Sequence, residues 1–242
     1  MLENIAMPDS IAEAAPRTYA GFLFDMDGTV LSSIAATERV WTRWALRHGL
    51  DVEQFLPTIH GVRAVETVRR LGLPGVDPEA EAALLTAEEM QDVGGIAPIA
   101  GAFDFLAALP SDRWAIVTSA PRALALRRIA AAGLPVPEVL VAAEDVRNGK
   151  PAPDCFRLGA DRLGLAVEDC LVFEDAPAGI QAAEAAGADV MVVTAAHQHP
   201  VVTPYPMLDS YQMLSPLMVA DGIRLEWTAA PLQSSPPIAM AG

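Results

Sequence analysis

Short apolar runs recur along the chain, and each is followed by a stretch with helical character. The runs are at 21–25, 114–119, 139–142, 170–174 and 189–194. Each run is continuously apolar rather than alternating with polar residues, which is typical of parallel strands covered by helices on both faces. Two of the helical stretches end in a glycine, at Gly133 and Gly187, where helices commonly stop. The pattern predicts a doubly wound α/β sheet.

One segment interrupts this alternation. About ninety residues separate the first two apolar runs, which is too many for a single crossover helix. Helical patterns at 34–48, 62–71 and 78–93 fall within it, and we expect Trp41 and Trp44 on the first of them to form part of a local core. The predicted fold class is therefore α/β, a Rossmann-like doubly wound parallel sheet core with an inserted small α-helical domain.

The expected domain boundaries follow from this insertion. The core comprises 18–32 and 99–230, and the helical insert spans 33–98. Near the C-terminus, Asp221 and Gly222 lie between two strand-like runs, which predicts a β-hairpin. The stretch 231–242 is rich in small residues and proline and is predicted to be a disordered tail.

The charge balance limits the classes of partner. Thirty-one acidic residues against sixteen Lys and Arg give a formal charge of −15, whereas a nucleic-acid surface needs a basic footprint. No apolar run approaches the ~20 residues that span a bilayer. The first twenty residues lack the basic start and long apolar block of a secretory signal, and two cysteines form no disulfide framework. We expect a cytoplasmic protein with no nucleic-acid and no membrane partner, either a monomer or a weak homo-oligomer.

Polar residues cluster where the predicted strands end. In open α/β sheets the ligand crevice lies beyond the carboxyl ends of the strands. Four carboxylates, two hydroxyls and one ammonium are expected there, from Asp25, Asp27, Glu174, Asp175, Thr118, Ser119 and Lys150. A cluster of hard oxygen ligands suits Mg²⁺, which takes a few carboxylates together with water and substrate phosphate.

Four motifs in this order resemble those of the haloacid dehalogenase superfamily. They are DMDGT at 25–29, VTS at 117–119, NGKP at 148–151 and FEDAPAG at 173–179. Their spacing is similar to that of members with a helical cap inserted between the first two motifs. The stretches WALRHGL, IHG and VTSAPRALA resemble bacterial sugar phosphatases of the 2-deoxyglucose-6-phosphate and glycerol-3-phosphate type. The resemblance implies Mg²⁺-dependent hydrolysis of small sugar or polyol phosphates through an aspartyl-phosphate.

The resemblance also implies a role for each motif residue. Asp25 is the expected nucleophile, and Asp27 the acid that protonates the leaving group and then deprotonates water. Thr118 and Lys150 are expected to bind and stabilise the phosphoryl group. The expected metal ligands are Asp25, Asp27 through its backbone carbonyl, Glu174 and Asp175. The expected substrate-binding residues are His60, Gly61, Arg63, Ser119, Ala120 and Asn148.

One position departs from the family pattern, and other functions fit the same motifs. Ser32 stands where an Asp or Asn is frequent, in the loop that leads to the insert. A mutase similar to β-phosphoglucomutase shares all four motifs and is the alternative. A dehalogenase is disfavoured by Asp27, and a phosphonate hydrolase by the absence of lysine from 33–98. A non-catalytic binding protein would be expected to lack the nucleophile or a metal acid, and both are present here.

Overall fold

Eleven strands and eight α-helices are formed by the residues that the computed structural model describes, 17–197 and 202–227. The strands are β1 (Thr18–Tyr19), β2 (Gly21–Phe24), β3 (Leu31–Ser32), β4 (Ala97–Pro98), β5 (Trp114–Val117), β6 (Val139–Val141), β7 (Cys170–Glu174), β8 (Asp189–Val193), β9 (Met207–Leu208), β10 (Leu214–Val219) and β11 (Gly222–Trp227). The helices are α1 (Ile34–Arg47), α2 (Val52–Phe55), α3 (Ala64–Leu71), α4 (Pro78–Gln91), α5 (Ala102–Ala107), α6 (Arg122–Ala132), α7 (Asp154–Leu163) and α8 (Pro177–Ala186).

A six-stranded sheet in the order β6-β5-β2-β7-β8-β9 forms the centre of the molecule. All five pairings in this sheet are parallel. Counted along the chain, the order is third, second, first, fourth, fifth, sixth, which is the arrangement of a doubly wound fold. The predicted fold class is confirmed. The sixth strand, β9, was not expected, because only two residues of a proline-containing segment form it.

The two faces of this sheet carry separate apolar clusters, which explains the continuous apolar runs. Phe22 and Phe24 of β2 belong to one cluster, and Leu23 between them belongs to the other. Successive side chains of a strand point to opposite faces, so a strand covered on both sides needs apolar residues at every position. All four residues of β2 are buried.

The helices α1 to α4 lie between β3 and β4, which pair with each other antiparallel. These four helices contribute to an apolar cluster of their own that includes Trp41, Trp44, Val68 and Leu85. The expectation that both tryptophans join a local core is confirmed. The chain therefore leaves the central sheet and returns to it through two adjacent strands, which tether the helical insert at one place.

A second, three-stranded antiparallel sheet in the order β1-β11-β10 contains the predicted hairpin. Val219 pairs with Gly222 across a two-residue turn. The predicted tail at 231–242 and the first sixteen residues lie outside the described residues. Within the described ranges, no helix has the length and apolar character needed to cross a membrane.

Gly101 and Gly95 make a matched pair for testing how the segment before β10 packs on α5. Both have positive φ, 78° and 83°. A Cβ on Gly101 would lie 2.5 Å from the Gln212 nitrogen, whereas a Cβ on Gly95 would meet nothing within 4 Å. Both Ala variants share the left-handed backbone cost, and we expect Gly101→Ala to lose about 1–3 kcal/mol more stability through overpacking. Urea denaturation measures both variants, and equal losses would contradict this packing.

Candidate active site

Three buried carboxylates meet at the carboxyl edge of the central sheet. Asp25 follows β2, Glu174 ends β7 and Asp175 follows it, and these two neighbouring strands flank the point where the strand order reverses. One carboxylate oxygen from each residue lies within 4.8 Å of the other two. This is the position at which doubly wound folds bind ligands.

Two motif glycines allow these carboxylates to approach the backbone. A Cβ on Gly179 would lie 1.5 Å from Glu174 Oε1, and a Cβ on Gly28 would lie 2.0 Å from Asp175 Oδ2. The carboxylates are also oriented by donors. The Ala176 amide donates to Glu174 Oε2 at 2.7 Å, and the Thr29 hydroxyl donates to Asp175 Oδ1 at 3.2 Å.

Lys150 is the only lysine in the chain, and its side chain is 1% exposed. Its ammonium donates to Asp25 Oδ1 at 2.5 Å, to Glu174 Oε1 at 2.8 Å and to the Val117 carbonyl at 3.2 Å. An ammonium has three donors, and here each has an acceptor. The Phe156 ring lies 5.0 Å from the nitrogen and covers it further.

The charges in this cluster do not balance. Burial raises the pKa of Asp25 to about 8, with Lys150 opposing the rise and Glu174 adding to it. Burial and the neighbouring Glu174 and Asp25 hold the pKa of Asp175 well above its usual range. Burial disfavours the Lys150 ammonium, but Asp25 and Glu174 together keep its pKa above the ordinary value. When all three are ionised, the carboxylates leave excess negative charge around one ammonium, and the raised pKa values of Asp25 and Asp175 reflect that cost. A divalent cation would offset this charge, and the oxygen donor set fits one.

The Asp27 carboxylate lies outside this cluster and faces a cavity. The Ser33 hydroxyl donates to Asp27 Oδ1, and Arg128 Nη1 lies 2.9 Å from Oδ2. Arg128 also donates to the Thr37 hydroxyl at 2.9 Å and lies 3.3 Å from Glu89 Oε1. Asp27 is therefore held between the start of the insert and α6.

This cavity, of about 80 Å³, separates the strand ends from the helical insert. The core side contributes Asp25, Asp27, Thr118, Ser119, Ala120, Leu124 and Arg128, and the insert contributes Thr37, Trp41, Ile59, His60, Gly61, Thr86 and Glu89, among others. Seven of the expected site residues line this cavity: Asp25, Asp27, Thr118, Ser119, Ala120, His60 and Gly61. An eighth, Lys150, does not line the cavity but donates a hydrogen bond to Asp25.

Two hydroxyls that follow β5 have different neighbours. Thr118 is buried, and its oxygen accepts a hydrogen bond from the Ala120 amide at 3.1 Å. The Ser119 hydroxyl donates to the Gly61 carbonyl at 2.9 Å. Thr118 is thus fixed within the core side of the site, while Ser119 joins the core to the insert.

Arg63 and Asn148 do not line the cavity, in contrast to the expectation for substrate-binding residues. The Arg63 guanidinium donates to the carbonyls of Val146 and Arg147, at 2.9 and 3.1 Å. Asn148 donates to Asp154 at 3.0 Å. Arg63 therefore joins the insert to the loop that leads to α7, and Asn148, within that loop, bonds to the first residue of α7.

Arg128 and Glu89 were not among the expected site residues, although both interrupt apolar helix faces. Arg128 follows Leu124 by four residues on the buried face of α6, and Glu89 follows Leu85 by four residues on α4. Residues four apart share a helix face. A charged side chain at such a position is the signal that could have identified them.

Removal of the Lys150 ammonium tests whether the carboxylate cluster depends on it. We expect Lys150→Met to lower the free energy of unfolding by about 3–5 kcal/mol in chelator-containing buffer, because Asp25 and Glu174 stay buried without a cation. Chemical denaturation measures the loss. The control is Arg157→Met, which removes an exposed cation that binds the Ala185 carbonyl. Similar losses in the two variants would contradict this dependence.

Comparisons with known proteins agree with the motifs. A family model described as haloacid dehalogenase-like hydrolase matches residues 19–187. The chain is 46% identical over 179 residues to hexitol phosphatase A of Escherichia coli K12, covering 72% of this chain and 83% of that protein. It is 31% identical over 202 residues to 2-deoxyglucose-6-phosphate phosphatase 1 of Saccharomyces cerevisiae, covering 74% and 82%.

A solved structure of β-phosphoglucomutase from Clostridium difficile has the same fold. The TM-score is 0.65 at 20% identity, over 72% of this chain and 84% of that chain. At this identity the likeness concerns the fold alone. The family match and the phosphatase relatives confirm the resemblance drawn from the four motifs, and the chain belongs to the haloacid dehalogenase-like hydrolases.

Proposed function

We propose that this hydrolase is a Mg²⁺-dependent phosphatase of small sugar or polyol monophosphates that forms an aspartyl-phosphate on Asp25. The contact between the Asp25 carboxylate and the buried Lys150 ammonium, at the floor of a cavity that Asp27 also lines, is the observation that supports it best. The phosphatase names of the similar proteins from Escherichia coli and Saccharomyces cerevisiae support the substrate class.

The buried acids are proposed to hold the cation. Asp25, Asp175 and the Asp27 backbone carbonyl are the proposed direct ligands, and Glu174 binds directly or through water. The cluster contains hard oxygen donors without sulfur or imidazole, which favours Mg²⁺. When bound, the cation neutralises charge on the carboxylates and on the phosphoryl oxygens.

In the first proposed step the Asp25 carboxylate attacks phosphorus. An Asp25–phosphorus bond forms, the ester P–O bond breaks, and Asp27 gives its proton to the leaving oxygen. Lys150 holds Asp25 in position and offsets charge on the phosphoryl group, and the Thr118 hydroxyl binds a phosphoryl oxygen. The substrate alcohol leaves with the proton from Asp27.

In the second proposed step water attacks the aspartyl-phosphate. Asp27 takes a proton from the water, the Asp25–phosphorus bond breaks, and inorganic phosphate is released. Ser33 and Arg128 hold the Asp27 carboxylate on the cavity side of the site. The same carboxyl group therefore faces the space that both the leaving group and the water would occupy.

The helical insert, with proposed boundaries 33–98, acts as a cap in this scheme. Contacts from Gly61 to Ser119 and from Arg63 to the carbonyls of Val146 and Arg147 join it to the core. A cap in this position excludes water from the reacting groups. Arg63 is thus proposed to stabilise the closed arrangement.

A phosphosugar mutase is the second candidate, because it would use the same four motifs. A mutase must bind an intermediate with two phosphates, and so needs cationic groups at both ends of its cavity. Among the described residues that line this cavity, Arg128 is the sole arginine and there is no lysine. Arg128 already lies against Asp27 and Glu89, which favours the phosphatase.

Substitution of the nucleophile tests the proposed reaction. With Mg²⁺ present, we expect phosphate release from a panel of hexitol, hexose, glycerol and nucleotide monophosphates to be greatest for one or a few polyol or hexose esters. Asp25→Asn should lower this release by at least about 10³-fold with the fold intact, because an amide cannot act as the nucleophile. Colorimetric phosphate assays and circular dichroism measure the two properties.

A chelator provides the second arm of this test. Release by the unsubstituted protein should stop in excess chelator and return when Mg²⁺ is added. Undiminished turnover by Asp25→Asn would remove Asp25 from the nucleophile role. Turnover of β-glucose 1-phosphate to an isomer, with no phosphate released, would favour the mutase.

A further inference from the structure

A buried ion pair in the lining of the cavity joins the cap to the core. Glu89 of α4 and Arg128 of α6 approach to 3.3 Å, and their side chains are 9% and 6% exposed. Both line the cavity. Because Arg128 also contacts Asp27 at 2.9 Å, Glu89 lies near the group that is proposed to protonate the leaving oxygen.

The position of Glu89 is costly for stability. Leu85 and Glu89 are the two buried residues of α4, and Leu85 packs in the apolar cluster of the cap. Replacement of a buried ion pair by apolar residues of similar size is often neutral or stabilising. Packing alone therefore does not explain a carboxylate at this position, and its exposure to the cavity points to a ligand.

The charges that face the leaving group differ from those that face the phosphoryl group. At the phosphoryl end, Lys150 and the proposed cation offset the carboxylates. Elsewhere in the lining, the single positive charge of Arg128 faces two carboxyl groups, Asp27 and Glu89. His60, the remaining basic group along the described lining, lies 3.4 Å from Glu38. Because Asp27 is protonated at the start of the first proposed step, Glu89 alone then balances the charge of Arg128. This part of the lining therefore has no unpaired cation to receive an anionic leaving group.

The other groups in this part of the lining suit a polyhydroxy compound. Thr37 and Thr86 offer hydroxyl oxygens, and both already donate or accept within the protein. Trp41 and Ile59 offer apolar surface for C–H groups. A hydroxyl group both donates and accepts hydrogen bonds. A carboxylate can accept from its hydrogen while a neighbouring guanidinium donates to its oxygen.

We propose that Glu89, held by Arg128, is a specificity-determining residue that accepts a hydrogen bond from a leaving-group hydroxyl and keeps the Arg128 guanidinium from pairing with a leaving group that has its own negative charge. The inference rests on the proposed phosphatase function and narrows its substrates to monophosphates of neutral polyhydroxy compounds. Burial raises the pKa of Glu89 to about 6, with Arg128 opposing the rise. The carboxylate is thus mostly ionised at pH 7.5.

Three phosphate esters separate these effects in the full-length protein with Mg²⁺ at pH 7.5. Sorbitol 6-phosphate has a neutral leaving group with hydroxyls, p-nitrophenyl phosphate has no such hydroxyls, and 2-phosphoglycolate has an anionic leaving group. The variant is Glu89→Gln, which retains the size of the side chain. Its control is Glu88→Gln on the same helix, where the carboxylate instead pairs with Arg43 and Arg47.

We expect Glu89→Gln to lower kcat/KM for sorbitol 6-phosphate about 10-fold, mainly because KM rises. The kcat/KM for p-nitrophenyl phosphate should change by less than about twofold. The kcat/KM for 2-phosphoglycolate should rise, because Arg128 loses its paired carboxylate on α4 and can pair with the anionic leaving group. Glu88→Gln should leave all three values unchanged. Should Glu89→Gln fail to fold, Glu89→Asp keeps the negative charge on a shorter side chain. This variant should have a lower kcat/KM for sorbitol 6-phosphate and an unchanged kcat/KM for 2-phosphoglycolate.

The alternatives give different results. Equal losses on all three esters would show that Glu89 acts through Arg128 on Asp27, and would overturn the specificity role. An unchanged ratio between sorbitol 6-phosphate and p-nitrophenyl phosphate would also overturn it. Both results leave the phosphatase function standing. That function fails separately if the unsubstituted protein, folded and supplied with Mg²⁺, hydrolyses none of the three esters.

Discussion

The ammonium of Lys150 joins the ends of three neighbouring strands. Its acceptors are Asp25 after β2, Val117 at the end of β5 and Glu174 at the end of β7. The other fifteen cationic residues of the chain are arginines. A guanidinium is a planar fork suited to paired acceptors, whereas an ammonium is a compact charge that can serve three acceptors around one point. The site uses lysine where that geometry is needed, and the placement of Asp25 depends on it.

When all three buried carboxylates are ionised, Lys150 alone does not neutralise their charge. One ammonium cannot neutralise Asp25, Glu174 and Asp175, and burial makes the remaining charge costly. The glycines of the first and fourth motifs leave room for the carboxylates close to the backbone, where the Ala176 amide and the Thr29 hydroxyl hold Glu174 and Asp175 in place. A bound divalent cation would complete the balance of charge, because its two positive charges and that of Lys150 equal the three negative charges of the ionised carboxylates. The proposed cation site thus follows from how the strand ends are packed.

The sequence predicted the central sheet and the residues at its edge because both depend on local patterns. Strands covered on both faces must be continuously apolar, and polar residues directly after them have few places to lie other than the ligand crevice. The direction of side chains in loops has no such constraint. Arg63 and Asn148 were expected at the substrate and instead bind the loop before α7 and the start of that helix. Their neighbours depend on how the cap meets the core, which no local pattern contains.

Arg128 and Glu89 were missed for a related reason, since they come from helices about forty residues apart that meet only when the cap packs on the core. Each was visible as a charged residue on an apolar helix face, but one such residue does not reveal its partner. Their pairing places a neutralised guanidinium in the cavity lining, whereas Lys150 and the proposed cation offset charge beside Asp25. Under the proposed role of Glu89, an ester with a second anionic group would meet no unpaired cation beside Arg128. Selection against such esters would then need no steric barrier, and would arise from the same buried charges that hold Asp27 in place.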